Sequence, residues 1–145
     1  MIQIMQANIS HIADIYTLEQ QLFGEGAYGL QSLNEELTNP NRIYLVALEN
    51  GAQVIGYLGA NVTSDFAEIM KIGVTGSEQR QGVATQLLQD LEKKLSDKGV
   101  HKLQLEVKST NQKAILFYEK MGFVNYYVRK NYYKTCDALL YEKTV

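Results

Sequence analysis

The sequence predicts a mixed α/β fold. Its sheet is mostly antiparallel, one central β-α-β pair runs parallel, and helices cover both faces. Three observations predict this. RIYLVAL and QVIGYLGANV flank Asn50-Gly51, the dipeptide that most strongly signals a tight hairpin. A strongly amphipathic helix from about Gln81 to Lys98 lies between two strand-like runs, and strands joined by one such helix pair in parallel through a right-handed crossover. Further helical periodicity occurs before the hairpin and again after the second of those runs. A chain of 145 residues is expected to form one domain, residues 1–145.

In chain order, Met1 to Ala7 alternates loosely and reads as a first strand. Ser10 can cap a helix whose apolar face is Ile12, Ile15, Leu18 and Leu22. Gly24, Gly26 and Gly29 then break that helix into a loop. Ser32 and Glu35 have capping-box spacing, so a short second helix is expected to start near Leu33 and to stop at Asn39-Pro40. Arg42 to Leu48 and Gln53 to Val62 form the hairpin. Gly56 and Gly59 within it suggest a bulge or a close backbone approach. Phe66 to Val74 continues the meander as a third antiparallel strand. In the long helix, Ala84, Leu87, Leu88, Leu91 and Leu95 share one face, and Gly99 is placed to end it. Lys102 to Lys108 alternates, with Leu103, Leu105 and Val107 on one side and Gln104 and Glu106 on the other. Asn111 to Met121 reads as a shorter helix ended by Gly122. A long tyrosine-rich strand from Phe123 to Tyr133, a break at Lys134 to Asp137 and a last strand from Ala138 to Val145 complete the order.

Composition narrows the function classes. The chain is 46% apolar and 21% charged, with a formal net charge of −2. Without a basic field, direct nucleic-acid binding is not expected. The single cysteine, Cys136, excludes an internal disulfide and a cysteine-based zinc site. No run approaches the ~18 apolar residues of a membrane span, and the N-terminus carries no signal-peptide pattern, so a cytoplasmic protein is expected. His11 and His101 lie far apart and read as surface residues.

The stretch with most chemical character is Gln79-Arg80-Gln81-Gly82-Val83-Ala84, between the third strand and the long helix. A helix start offers unpartnered N–H groups and a partial positive charge. Gly82 and Ala84 keep its first turn small, and Arg80 adds a planar fork of donors. A phosphate cradle and a merely tight strand-to-helix turn both fit these residues. A P-loop and a dinucleotide fingerprint do not, because neither Gly-Lys-Ser/Thr nor G-x-G-x-x-G is present. Ligands of α/β sheets sit off the carboxyl ends of parallel strands, so the residues after the next strand face the same cleft. By pattern alone, Glu106 is a solvated strand residue and Tyr118 is helix packing.

Taken together, Q-x-x-G-x-A at Gln79 to Ala84 and Asn111-x-x-Ala114-x-x-x-Tyr118-x-x-x-Gly122-Phe123 resemble the Gcn5-related N-acetyltransferases. The likeness spans roughly Arg42 to Val145. LEVKSTNQKAILFYEKMGF, VRKNYY and Asp137-Ala138 are most similar to the RimI-type ribosomal-protein-alanine N-acetyltransferases. The resemblance implies acetyl-CoA as co-substrate, no metal, and a protein N-terminal amine as acceptor, that of a small-subunit ribosomal protein. It implies a monomer or weak homodimer. It also implies roles. Ile72, Gly73 and Val74 would run beside the pantetheine arm and polarise the thioester carbonyl. Gln79, Arg80, Gln81, Gly82, Val83, Ala84 and Thr85 would wrap the pyrophosphate. Asn111 would bond the acyl-CoA. Tyr118 would protonate the leaving thiolate, and Glu106 would deprotonate the amine, directly or through water. An α-amine near ~7.7–8.0 asks little of its base, whereas a phenol near ~10 has little drive to protonate a thiolate near ~8.5, so its value is positional. An acetyltransferase of a small amine or polyamine, and a non-catalytic acyl-CoA-binding module, fit the same motifs. The chain departs from the RimI pattern at GEGAYGLQSLNEEL, which has no tryptophan where a Phe-Pro-Trp segment is usual.

Overall fold

The computed structural model describes residues 1–76 and 82–145. Among the described residues, seven strands form one sheet: β1 (Ile2–Gln6), β2 (Arg42–Glu49), β3 (Gln53–Val62), β4 (Ala67–Val74), β5 (Lys102–Lys108), β6 (Val124–Arg129) and β7 (Ala138–Thr144). Four α-helices accompany them: α1 (Ile12–Phe23), α2 (Leu30–Thr38), α3 (Val83–Asp97) and α4 (Gln112–Lys120). The strands lie in the order β1-β2-β3-β4-β5-β7-β6, and every neighbouring pair is antiparallel except β4 and β5. The expected mixed sheet with one parallel crossover pair is the observed one.

Strand alternation divides the core into two layers. Ile43, Leu45 and Ala47 of β2 face α3 and α4, together with Leu87, Leu88, Leu91, Leu95, Leu103, Leu105, Val107, Ile115 and Tyr118. Tyr44, Val46 and Leu48, one residue out of phase, face α1 and α2 with Ile15, Leu18, Leu33 and Tyr57. Val83, Leu87, Leu88, Leu91 and Leu95 are fully buried along one stripe of α3. Each contributes about 1.5–3 kcal/mol of burial. α3 ends in a Schellman motif: Val100 N–H donates to the Leu95 carbonyl at 2.9 Å and Gly99 N–H to that of Ser96 at 3.0 Å. Gly99, at φ 74°, takes the left-handed position this motif requires.

Several local expectations are corrected. The cap before α1 is Asn8, not Ser10. Its side chain accepts from Ser10 N–H at 2.9 Å, and a single 3-10 turn (Ile9–His11) precedes α1. α2 starts at Leu30 rather than near Leu33. Gly29 is its N-cap, with its carbonyl accepting from Leu33 N–H at 3.0 Å, so the Ser32–Glu35 capping box does not form. α3 starts at Val83, capped by Gly82 in the left-handed region at φ 74°. β6 stops at Arg129, short of Tyr133. Asn131 turns the chain at φ 55°, and its N–H is held by the Asp137 carboxylate at 2.8 Å.

The sheet is irregular where the site lies. Gly59 pairs with Lys71 but Ala60 with Ile69, so Met70 is a bulge residue in β4. Beyond it, β4 leaves its parallel neighbour. Only Ala67↔Leu103 and Glu68↔Gln104 are paired between β4 and β5, and the remainder of the two strands splays apart.

Candidate active site

The gap between β4 and β5 opens into a cleft of about 320 Å³. One wall is the end of β4: Ile72, Gly73 and Val74. The other is α4 with its N-cap: Asn111, Lys113, Ala114, Phe117 and Tyr118. Ala84 of α3 and Leu22 and Phe23 of α1 complete it. Strands that part without another strand between them leave backbone N–H and C=O groups for an extended ligand to pair with. The α3 N-terminus, capped by Gly82, brings the positive end of the helix dipole toward an anion.

Each wall is positioned by its own sequence. The Asn111 side-chain oxygen caps α4, accepting from Ala114 N–H at 3.2 Å. The Tyr141 hydroxyl donates to Glu119 at 2.9 Å and fastens the far end of α4 to β7. Tyr118 is 6% exposed and is held edge-on between Phe117 (5.3 Å) and Phe123 (5.5 Å). Burial alone raises its phenol above the usual tyrosine value, so the hydroxyl stays protonated well into alkaline solution.

Glu106 lies elsewhere. On β5 it alternates away from Leu105 and Val107, onto the sheet face opposite the α4 layer, and it does not line the cleft with Tyr118. Arg129 Nη1 stands 3.9 Å from its Oε1, which is buried and has no hydrogen bond among the described residues. The Tyr133 hydroxyl lies 3.5 Å from its Oε2. Burial first and the Glu106 carboxylate second push the Tyr133 phenol upward. Tyr132 packs edge-on against Tyr133 at 5.2 Å, and Arg129 lies 5.4 Å from the Tyr132 ring. The strand gap thus has a buried tyrosine hydroxyl toward one face of the sheet and a carboxylate among aromatic and basic groups toward the other.

Of the residues singled out in the sequence, Ile72, Gly73, Val74, Ala84, Asn111 and Tyr118 line one cleft. Gly82 caps α3, its carbonyl accepting from Gln86 N–H at 3.0 Å. Val83 turns its side chain into the core. Thr85 lies in the same first turn, its hydroxyl 3.9 Å from the Met121 sulfur. Gln79, Arg80 and Gln81 lie outside the described residues. Leu22, Phe23, Lys113 and Phe117 join the lining without having been singled out. Leu22 carried only the signal of a core position in α1. Phe23 is a bulky residue just before a helix-ending glycine, which marks an end and not a site.

Among the described residues, the sheet parts at its one parallel pair and a helix start stands at the opening. The chain belongs to the acetyltransferase (GNAT) family, whose sequence profile matches residues 9–123. It is 37% identical over 91 residues to the ribosomal protein bS18-alanine N-acetyltransferase of Escherichia coli. That match covers 63% of this chain and 62% of the relative, less than two thirds of its length. The N-alpha-acetyltransferase RimI of Mycobacterium tuberculosis is 33% identical over 129 residues, 86% of this chain and 79% of that protein. Among solved structures, the ribosomal-protein-S18-alanine N-acetyltransferase from Escherichia coli superposes with a TM-score of 0.89 at 26% identity, covering 100% of this chain and 94% of that one.

Proposed function

We propose that the protein is a cytoplasmic enzyme that transfers the acetyl group of acetyl-CoA to the N-terminal amine of ribosomal protein bS18. The observation that carries this reading is the likeness to enzymes named for that reaction, which reaches 83% of the chain in the ribosomal protein bS18-alanine N-acetyltransferase of Salmonella typhimurium. The pantetheine arm pairs with the backbone of Ile72, Gly73 and Val74 in the β4–β5 gap, and a backbone N–H there polarises the thioester carbonyl. The pyrophosphate rests on the loop and first turn of α3: Gln79, Arg80, Gln81, Gly82, Val83, Ala84 and Thr85. Asn111 hydrogen-bonds the acyl-CoA while capping α4.

The acceptor arrives from the face that carries Glu106. Its nitrogen attacks the thioester carbon, the C–S bond breaks, and the acetyl group leaves CoA for nitrogen. Tyr118 gives its proton to the departing thiolate. Glu106 receives the ammonium proton, directly or through water. With an α-amine near ~7.7–8.0, a carboxylate base is sufficient, whereas a lysine amine near ~10.4 would demand a stronger one.

The test is incubation with acetyl-CoA and a synthetic peptide of the bS18 N-terminus, read by mass spectrometry. The expected product is 42 mass units heavier (roughly one acetyl group) on the α-amine, with stoichiometric release of CoA thiol. Acetylation of polyamines or free amino acids with the peptide untouched would overturn the acceptor assignment. Binding of acetyl-CoA without transfer to any amine would overturn the enzyme reading.

A further inference from the structure

We propose that Leu22 is the wall that limits the transferred acyl chain, so that the enzyme accepts acetyl-CoA and rejects propionyl-CoA and longer donors. The inference rests on the acetyl-transfer reading above and adds the residue that sets donor length.

Gly73 shows where the wall stands. A Cβ at this position would lie 2.7 Å from Leu22 Cδ1, 3.4 Å from Tyr57 Cε1 and 3.5 Å from Phe23 Cε2. Leu22 therefore occupies the space that a side chain at position 73 would need, and the last turn of α1 presses on bare β4 backbone. Tyr57, fully buried, supports that contact from β3. Leu22 and Phe23 also line the cleft, on the α1 side of the sheet, whereas Ala114, Phe117 and Tyr118 line it from α4. A thioester carbonyl bonded by a backbone N–H of Ile72, Gly73 or Val74 has its acyl carbons beside this same backbone. The first group they meet on the α1 side is the Leu22 side chain.

The wall is tied down. Lys71, two residues before Gly73, sends its ammonium to Glu19 Oε1 at 2.8 Å and to the Gly26 carbonyl at 2.9 Å. The same ammonium lies 4.5 Å from the Phe23 ring centre and 4.0 Å from that of Tyr28. Tyr28 N–H donates to Glu19 Oε1 at 2.7 Å. Glu19 is fully buried, so this knot joins α1, the turn after it and β4 around a carboxylate withdrawn from water. A side chain held against a strand by such contacts does not move aside cheaply for one more methylene.

The experiment compares acetyl-CoA and propionyl-CoA as donors to one acceptor peptide, for the natural protein, Leu22→Ala and the milder Leu22→Val. Direct calorimetric titration of both CoA esters runs in parallel, and melting curves establish that each variant is folded. The natural protein is expected to show kcat/KM at least about tenfold lower for propionyl-CoA, and Leu22→Ala to bring the two donors within about threefold. Should Leu22→Ala not fold, Leu22→Val is expected to move the ratio in the same direction. Equal use of both donors by the natural protein, or a ratio unmoved by either variant, would overturn the proposal. So would variants that change the choice among acceptor peptides while the donor ratio stays fixed. If no amine is acetylated, the reading of function fails on its own, and the ratio of the two calorimetric Kd values decides the wall. A ratio of tenfold or more that falls in the variants supports it, and equal Kd values reject it.

Discussion

The two strands that part at the centre of the sheet carry unlike walls. On the β4 side, Ile72, Gly73 and Val74 offer backbone and small apolar side chains, opposite Ala114, Phe117 and a Tyr118 that is 6% exposed. On the β5 side, Glu106 stands with Arg129 and Tyr133 near solvent. The ties that hold the walls differ in the same way. Lys71 and Glu19 form an ion pair with side-chain exposures of 15% and 0%, whereas those of Arg129 and Glu106 are 47% and 28%. A dry wall keeps a phenol neutral and a neutral thioester in place. A wet wall lets a carboxylate exchange protons with solvent and lets a polar acceptor enter. Under the proposed function the donor belongs to β4 and the acceptor to β5, and substitutions on either side can break that assignment.

The largest expected effect is at Tyr118 on the dry wall. Tyr118→Phe keeps the ring and its edge-on contacts but removes the proton donor. It is expected to lower kcat by roughly 10²–10⁴-fold with the acetyl-CoA Kd unchanged, since general-acid groups contribute on that scale. Steady-state kinetics with calorimetry separates the two quantities. The sign of the pH dependence follows from burial. The folded phenol is raised above its unfolded value near ~10, so the donor stays competent below that pH and no alkaline fall in kcat from Tyr118 is expected there. By the same linkage, its contribution to stability is fully present below ~10 and is lost as pH rises through the raised folded value.

Next come the ties. Lys71→Met leaves the buried Glu19 carboxylate without its cation and is expected to cost about 3–5 kcal/mol in urea unfolding. Arg129→Ala removes a half-exposed partner of Glu106 and is expected to change stability by less than about 1 kcal/mol. Similar losses from both would erase the contrast between the walls.

The strands of these walls were easier to read from sequence than the gap between them. β5 (Lys102–Lys108) has the bounds its alternation predicts, because one-sided burial writes a period of two into the residues, whereas β3 (Gln53–Val62) is buried on both faces and was legible from the Asn50-Gly51 hairpin signal. The leucine stripe of α3 is equally plain. β6 was read too long because Tyr126, Tyr127, Tyr132 and Tyr133 all favour strands, and Asn131 gave only a weak turn signal. The splay was not legible. It depends on how β4 bulges at Met70 against β3, a pairing between strands that neither strand records alone. The contribution of Leu22 was hidden for a related reason, since an α1 position that faces the sheet looks like core whether it meets a side chain or a bare glycine. The role of Glu106 was supplied by motif resemblance, and its alternation gave only the face.

On the wet wall, Glu106→Gln preserves shape and removes the proton acceptor. It is expected to lower kcat/KM for an N-terminal peptide by about 10²-fold at pH 7, the low end for general bases. The loss is expected to shrink as pH rises past the amine value near ~8, because a neutral amine no longer has a proton to give. A loss independent of pH would mean that Glu106 positions the acceptor rather than accepts its proton. Acetyl-CoA affinity is expected to stay unchanged, in keeping with the absence of Glu106 from the residues that line the cleft.

The smallest effect distinguishes two roles of the exposed Asn111 side chain at the start of α4. The Asn111 oxygen is already committed to Ala114 N–H as the cap of α4. Asn111→Ala therefore removes a cap and is expected to cost about 1 kcal/mol of stability, whatever its part in ligand binding. Asn111→Ser keeps an oxygen for the cap but lacks the amide N–H group, so it is expected to restore stability to within a few tenths of that change without restoring acetyl-CoA affinity. If serine restores both, the residue matters to the donor only by holding α4, and thereby Tyr118, in place. If it restores stability alone, the amide itself reaches the acyl-CoA, and the donor wall is then lined by one polar side chain that both shapes the helix and binds.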